Sequence, residues 1–140
     1  MKTLYTAVAT AKGGRNGEVR TDNGVLDLTV RMPKELGGAN NDHTNPEQLF
    51  AAGYAACFDS ALNRVIQMSG TTTGETSVMA KVSIGQIGNG AFGLAANLEI
   101  NIPGVSTEEA QMLADKAHQI CPYSNATRNN MEVLITVTNN

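Results

Sequence analysis

The two cysteines of this chain are the residues whose chemistry is most informative. Cys57 lies within an uncharged segment, and Cys121 lies 64 residues further on, directly before Pro122. A cysteine in the middle of a helix is most often a small apolar core residue, and this is the plain interpretation of Cys57. A second thiol at a helix end, where the backbone is less tied down, fits an attacking and a resolving cysteine. The spacing does not show whether the two thiols meet.

A reactive Cys57 needs a cation nearby, because burial in an apolar helix raises the pKa of a thiol. Arg15 lies in the Gly13–Gly17 turn, a place where side chains are presented to a site, although a solvated turn arginine is the plain alternative. His118 shares a helix face with Cys121, and we interpret it as covering its helix rather than acting as a base.

Glu47 lies near the start of the same segment as Cys57, where an anion is favourable at the positive end of a helix. Ten residues along a straight helix span ~15 Å, and the two side chains point about 80° apart. They cannot touch within one unbroken helix. A joint role requires an intervening group such as Arg15, a helix break at Gly53, or a second subunit.

A metal site is the main alternative use of these residues. Cys57, Cys121, His118 and His43 could form a Cys₂His₂ set, but they lack the closely paired ligands of structural zinc sites. The chain also has no phosphate-binding glycine loop, nucleophile elbow or dinucleotide fingerprint. We therefore expect no metal site, and no motif indicates a phosphate or dinucleotide site.

Composition limits the class of protein. A chain of 140 residues predicts one domain spanning residues 1–140, and a net charge of −3 argues against a nucleic-acid partner. No segment is long and apolar enough to span a membrane, and we interpret the short, Thr-interrupted apolar start as a strand of the mature protein. Two cysteines then indicate thiols of a cytoplasmic protein rather than a disulfide framework.

The pattern of elements predicts an α+β fold with a largely antiparallel sheet, in the order βββαββαβ. Asn45 and Pro46 begin a central helix that ends near Met68, and its uncharged stretch from Gln48 to Phe58 predicts burial on all sides. Asn23 and Gly24 predict a type I′ hairpin turn. The predicted strands span residues 2–12, 18–21, 25–32, 77–86, 93–102 and 131–138, and a second helix spans 107–120, followed by a turn or short helix at 122–128.

Two long motifs resemble one known family. Residues 44–58, TNPEQLFAAGYAACF, and residues 116–128, KAHQICPYSNATR, are similar to the two cysteine signatures of the organic hydroperoxide resistance (Ohr) proteins in the OsmC-like superfamily. Residues 4–7, the Gly13-Gly14-Arg15 turn and residues 32–38 also match. The resemblance covers nearly the whole chain.

The resemblance implies a cysteine-based, peroxiredoxin-like peroxidase for organic hydroperoxides with the OsmC-like fold. Carried onto this sequence, Cys57 would be the peroxidatic cysteine and Cys121 the resolving cysteine. Arg15 would hold the thiolate and polarise the peroxide, and Glu47 would orient Arg15. The family also implies an intertwined homodimer with sites at the subunit interface, no prosthetic group, and recycling by the dihydrolipoyl dithiol of a lipoylated protein.

The side chains around the motifs bear on substrate choice. Phe50, Tyr54, Phe58 and Phe92 are available for an apolar pocket that would favour alkyl or lipid hydroperoxides, although such residues are more often plain core. Asp59 and Asn63 are more polar than this family leads us to expect after the cysteine. The rival interpretations are a non-catalytic redox sensor or binding protein, and an OsmC-type peroxidase with a broader peroxide range.

Overall fold

Six strands and three α-helices follow one another in the order βββαββααβ in the computed structural model, which describes residues 1–140. The predicted order is therefore confirmed, and the predicted turn or short helix at 122–128 is a helix. The chain divides into two compact units, Met1–Leu49 and Phe50–Asn140. A single domain stays a prediction.

The first unit contains a three-stranded antiparallel sheet with the order β1-β2-β3, as predicted. Its strands are β1 (Ala9–Lys12), β2 (Glu18–Thr21) and β3 (Asp27–Thr29). The predicted first strand was too long, because residues 1–8 form no regular element. Their alternating pattern has no cross-strand neighbour before Val8, and strands depend on such pairs. Leu4 and Tyr5 are consequently 91% and 81% exposed.

The turn between β2 and β3 is not of type I′, which corrects the prediction. Gly24 has a positive φ of 71°, but Asn23 is not in the left-handed region. The side chain of Asn23 instead accepts hydrogen bonds from the Thr21 hydroxyl at 2.8 Å and the Val25 N–H at 3.1 Å. These local bonds stabilise a longer connection than a two-residue hairpin loop.

The second unit contains a sheet with the order β4-β5-β6, formed by β4 (Ser77–Gln86), β5 (Phe92–Asn101) and β6 (Val133–Thr138). β4 and β5 are antiparallel, whereas β5 and β6 are parallel. The parallel pair follows from the helical crossover between these strands, which returns the chain to its starting end. This crossover consists of α2 (Thr107–Ile120) and α3 (Pro122–Thr127).

The long helix α1 (Pro46–Ser69) begins and ends where local chemistry predicts. The side chain of Asn45 accepts a hydrogen bond from the Gln48 N–H at 2.9 Å, and Gly70 follows the last turn with a φ of 70°. The helix runs unbroken through Gly53, so the helix break considered above does not occur. No helix has the length and apolarity needed to cross a membrane.

One face of α1 packs into the core of the second unit, together with β5 and α2. The buried residues of this core are Tyr54, Phe58, Ala61, Leu62, Val65, Ile66, Ala96, Leu98, Ile100, Ile102, Ala110, Leu113, Ala114, Ala117 and Cys121.

The prediction that α1 is buried on all sides is wrong for the single chain. Gln48, Ala52, Ala56 and Ser60, spaced four residues apart, form an exposed stripe along the helix. Lack of charge did not imply burial, because alanine methyl groups face water at little cost.

Candidate active site

A tight turn between β1 and β2 presents Arg15. The residue lies in a single 3₁₀ turn, Gly14–Asn16, and the turn closes through Gly17. A Cβ atom on Gly17 would lie 1.7 Å from the carbonyl oxygen of Lys12, so only glycine fits there. The Gly17 carbonyl accepts a hydrogen bond from the Val30 N–H at 2.9 Å, which fixes the turn against the end of β3.

Arg15 and Glu47, two of the predicted site residues, form a bidentate ion pair. Arg15 Nη1 lies 2.8 Å from Glu47 Oε2, and Nη2 lies 2.6 Å from Oε1. Their side chains are 30% and 14% exposed, so the pair is partly shielded from water. Hydrogen bonding from Arg15 lowers the pKa of the Glu47 carboxyl, although burial opposes this shift. The same hydrogen bond raises the pKa of Arg15. Glu47 therefore holds the guanidinium in one fixed plane.

The two cysteines meet in the second unit. Both are reduced, and the Cys57 and Cys121 sulfur atoms are 3.7 Å apart. Cys57 lies on α1, and Cys121 lies at the junction of α2 and α3. A disulfide requires about 2.05 Å between sulfur atoms, so a modest approach would join them.

The two thiols differ in exposure, and Cys57 is not fully buried as its plain interpretation expects. Cys121 is 0% exposed, whereas Cys57 is half-buried and lines an open groove of ≈ 860 Å³ with Ser60, Arg64 and Pro122. The predicted mobility of the Cys121 segment is not apparent in its hydrogen bonding. The N–H of Cys121 donates to the Ala117 carbonyl, and its carbonyl accepts from the Asn125 N–H, each at 2.9 Å.

The surroundings of Cys57 disfavour its thiolate, as the sequence predicted. Burial raises the pKa of the Cys57 thiol, and Cys121 raises it further. The nearby backbone N–H of Tyr123 acts in the opposite direction and lowers this pKa. A positive charge close to Cys57 would oppose this shift and favour the thiolate.

Tyr123 is a site residue that the sequence reasoning did not identify. Its backbone N–H lowers the pKa of Cys57, and its ring packs near Phe50 and Tyr54, with centroids 6.1 and 5.7 Å away. A Cβ atom on Gly53 would lie 2.9 Å from the Tyr123 hydroxyl, so the glycine permits this close packing. The position of Tyr123 directly after Cys121-Pro122 was the signal available in the sequence.

The four aromatic residues that were candidates for an apolar pocket or for plain core separate into these two groups. Phe50 and Phe92 line a cavity of ≈ 680 Å³ together with Tyr123. Tyr54 and Phe58 are fully buried core residues. The cavity reaches Tyr123 but not Cys57, so Tyr123 is the residue that joins the apolar cavity to the thiol.

The two polar residues that depart from the family pattern have structural roles. Asp59 Oδ1 accepts a hydrogen bond from the Thr76 hydroxyl at 2.7 Å. The side-chain amide of Asn63 donates to the Asp59 carbonyl at 2.9 Å and to the Thr76 hydroxyl at 3.1 Å. These bonds tie α1 to the segment before β4. Only Asn63 also lines the groove beside Cys57.

His118 belongs to a hydrogen-bond network rather than to a metal site. Its Nδ1 lies 2.9 Å from the Ser124 hydroxyl, and burial lowers the pKa of its imidazole. No three His, Cys, Asp or Glu side chains are grouped so that they could hold a metal ion. The Cys₂His₂ alternative is therefore not assembled.

Comparisons with known proteins identify the family of this chain. A family model described as OsmC-like protein matches residues 38–136. The organic hydroperoxide resistance protein of Xanthomonas axonopodis pv. citri is 53% identical over 137 residues, covering 97% of this chain and 96% of the relative. OhrB of Bacillus subtilis is 43% identical, covering 93% of this chain and 95% of the relative.

Solved structures give the same result. The crystal structure of an organic hydroperoxide resistance protein from Elizabethkingia anophelis superposes with a TM-score of 0.97 at 68% identity, covering 100% of both chains. That of Bacillus subtilis OhrB has a TM-score of 0.88 at 40% identity, covering 97% of this chain and 100% of the other. The chain therefore belongs to the OsmC-like family and, within it, to the organic hydroperoxide resistance proteins.

Proposed function

We propose that this chain reduces organic hydroperoxides to alcohols by a two-cysteine peroxidase cycle. Family membership assigns it to organic hydroperoxide resistance and the response to oxidative stress. The cycle and the roles within it are our proposal. The observation that supports it most is the 3.7 Å separation of two reduced sulfur atoms, one of which lines an open groove.

In the first step, the Cys57 thiolate attacks the terminal oxygen of the hydroperoxide. The O–O bond breaks, the alkoxide leaves and takes a proton to become the alcohol, and Cys57 becomes a sulfenic acid. Arg15 stabilises the thiolate and the developing negative charge on the leaving oxygen. Glu47 supports this role through the bidentate pair, because it fixes the direction of the guanidinium.

In the second step, the Cys121 thiol attacks the sulfenic sulfur of Cys57. A disulfide forms and water leaves, so no oxidant beyond the first hydroperoxide is consumed. The short separation of the sulfur atoms supports this role, because a thiol held beside its target reacts as an intramolecular partner.

An external dithiol then returns both cysteines to thiols. We assign this part to the dihydrolipoyl group of a lipoylated protein in the cytoplasm, and no bound prosthetic group takes part. The working form is an intertwined homodimer, with sites at its interface. Sedimentation at micromolar protein concentration tests this part, and a monomer with full activity would contradict it.

The peroxidase proposal is tested with reduced protein, cumene hydroperoxide and dihydrolipoamide. We expect many turnovers, a complete loss in Cys57→Ser, and oxidation without disulfide formation in Cys121→Ser. The cavity near Tyr123 is apolar, so an alkyl hydroperoxide should react faster than hydrogen peroxide. Equal rates would favour an OsmC-type peroxidase of broader range. One stoichiometric oxidation without recycling would leave a redox sensor as the better interpretation.

Ser69→Ala is a matched control for these variants. Ser69 lies at the far end of α1, and its hydroxyl donates to the Ile66 carbonyl at 2.9 Å. This substitution makes a similarly small change on the helix that carries Cys57, away from the two thiols. We expect it to keep the activity of the unsubstituted chain.

A further inference from the structure

A network of buried hydroxyl groups borders the corner between α2 and α3, which carries Cys121. The proposed cycle assigns this network no role. The Ser124 hydroxyl lies 2.9 Å from His118 Nδ1 and 3.0 Å from the Tyr54 hydroxyl. The Tyr54 hydroxyl lies a further 3.1 Å from Thr127 Oγ1. The network therefore connects α1, α2 and α3.

Three residues of the network lie close in the sequence to one of the two cysteines. His118 and Ser124 lie three residues before and three residues after Cys121, and they meet across the junction of α2 and α3. Tyr54 lies three residues before Cys57, one turn earlier on α1. The Ser124 hydroxyl thus links the helix of the attacking thiol to both helices of the corner of the resolving thiol, and Thr127 adds a second link between α1 and α3.

The burial of this network makes its geometry restrictive. Tyr54 and Ser124 are 0% exposed, so their hydroxyl groups depend on partners within the network for hydrogen bonds. Leaving a buried hydroxyl unpaired is unfavourable, and hydrogen bonds are directional, whereas apolar packing tolerates sliding. The network therefore resists displacement of the corner relative to α1.

A second set of hydrogen bonds joins α2 and α3 at the same corner. Arg128, directly after α3, donates from Nη2 to the His118 carbonyl at 2.6 Å and from Nη1 to Asn125 Oδ1 at 2.7 Å. The last turn of α2 and the end of α3 are thereby joined. Cys121 lies between two helices that are fastened to each other and to α1.

We propose that Ser124 is a positioning residue that, with Tyr54 and His118, holds Cys121 beside Cys57 and so directs the oxidised site to a disulfide. This inference rests on the proposed function. A Cys57 sulfenic acid has two fates: Cys121 attacks it and releases water, or a second hydroperoxide transfers an oxygen to it and leaves as the alcohol. The second reaction gives a sulfinic acid, which the dithiol does not reduce.

Loss of the network should change the ratio of these two products. A displacement of about 1 Å can cost roughly 10²-fold in the rate of an intramolecular reaction. The competing reaction with free hydroperoxide does not depend on Cys121. A loosened corner therefore raises the sulfinic fraction, and we expect a rise of roughly tenfold or more at a fixed hydroperoxide concentration.

The test uses Ser124→Ala and Tyr54→Phe in the full chain, with Ser69→Ala as the control. Stopped-flow measurement gives the rate of hydroperoxide consumption, and acid quenching with mass spectrometry gives disulfide and sulfinic acid after one to several equivalents. We expect the rate of disulfide formation to fall more than the rate of hydroperoxide consumption in both variants. Ser124→Thr, which keeps a hydroxyl, should restore part of the disulfide yield.

The outcomes distinguish failure of this inference from failure of the proposed function. An unchanged ratio of disulfide to sulfinic acid in both variants, with normal oxidation of Cys57, overturns this inference alone. Absence of hydroperoxide-dependent oxidation in the unsubstituted chain refutes the proposed function and this inference with it. Tyr54→Phe preserves the buried ring, so it keeps the test decisive if Ser124→Ala fails to fold.

Discussion

Oxidation of Cys57 and Cys121 to a disulfide should stabilise the folded chain substantially. The bond would join positions 64 residues apart, and closing a loop of this length removes about 4 kcal/mol of chain entropy from the unfolded state at 25 °C. The sulfur atoms start 3.7 Å apart and must come about 1.7 Å closer. Any strain from this approach subtracts from the gain.

The expected gain is large enough to measure by heat or denaturant. For a chain of this size, 1 kcal/mol corresponds to roughly 3–4 °C in Tm, so the disulfide should raise Tm by roughly 10–15 °C. The assay compares urea unfolding of the reduced chain with that of chain oxidised by one equivalent of cumene hydroperoxide. Mass spectrometry must first show the loss of two hydrogens that marks the disulfide. The free energy of unfolding is compared rather than the midpoint alone, because a cross-link also changes the m-value.

Two controls separate the disulfide from other oxidation. Cys57→Ser and Cys121→Ser, treated in the same way, should show no gain in stability. If the confirmed disulfide leaves the free energy of unfolding unchanged or lowers it, the bond introduces as much strain in the folded state as loop closure contributes. That result would refute the reasoning that the thiols are held ready to join.

Three further predictions concern the first unit and the thiol. Glu47→Gln should lower the free energy of unfolding by about 1 kcal/mol at pH 7. The pKa of Glu47 is lower in the folded chain than its ordinary value of 4.5, so its contribution to stability is complete above 4.5 and is lost as pH falls through the folded pKa. Urea unfolding in which Glu47→Gln costs as much at about pH 3 as at pH 7 would contradict this. Arg15→Ala should raise the pKa of Cys57, which alkylation rates in a Cys121→Ser background would measure. It should also slow hydroperoxide attack by roughly 10²-fold without unfolding the chain, and an unchanged rate would remove Arg15 from the mechanism. Gly17→Ala should destabilise the chain by more than about 2 kcal/mol, because its Cβ would overlap a carbonyl oxygen, and a thermal scan with unchanged Tm would contradict this.

The helices were predictable because their signals are local. Asn45, Gly70 and Ser106 each act on backbone groups within a few residues, through a hydrogen bond or a positive φ. Not every bond at the start of α2 is local. Glu109 Oε1 accepts a hydrogen bond from the Thr71 hydroxyl at 3.1 Å, a partner 38 residues away that no local pattern reveals.

The site was predictable only in part, because its contacts join residues that lie far apart in the sequence. Cys57 and Cys121 are chemically distinctive, but the sequence could not show that they meet, because their contact depends on how α1 packs against the α2–α3 corner. Resemblance to a family supplied the pairing of Arg15 with Glu47. Ser124 was overlooked because a serine in a short helix has no distinctive pattern until its buried partners are known.

The two clearest errors have a common physical cause. The alternating pattern of residues 1–8 predicted a strand, and the uncharged stretch of α1 predicted burial, yet the single chain provides neither a neighbouring strand nor a covering surface. Leu4 and Tyr5 remain exposed, as does the stripe of Gln48, Ala52, Ala56 and Ser60, which is uncharged along its whole length. The apolar pattern of a segment can reflect contacts with a second chain as well as contacts within its own chain. A second copy that adds a strand partner and covers part of α1 would make both patterns correct at once, which is an argument for the proposed homodimer that does not depend on resemblance.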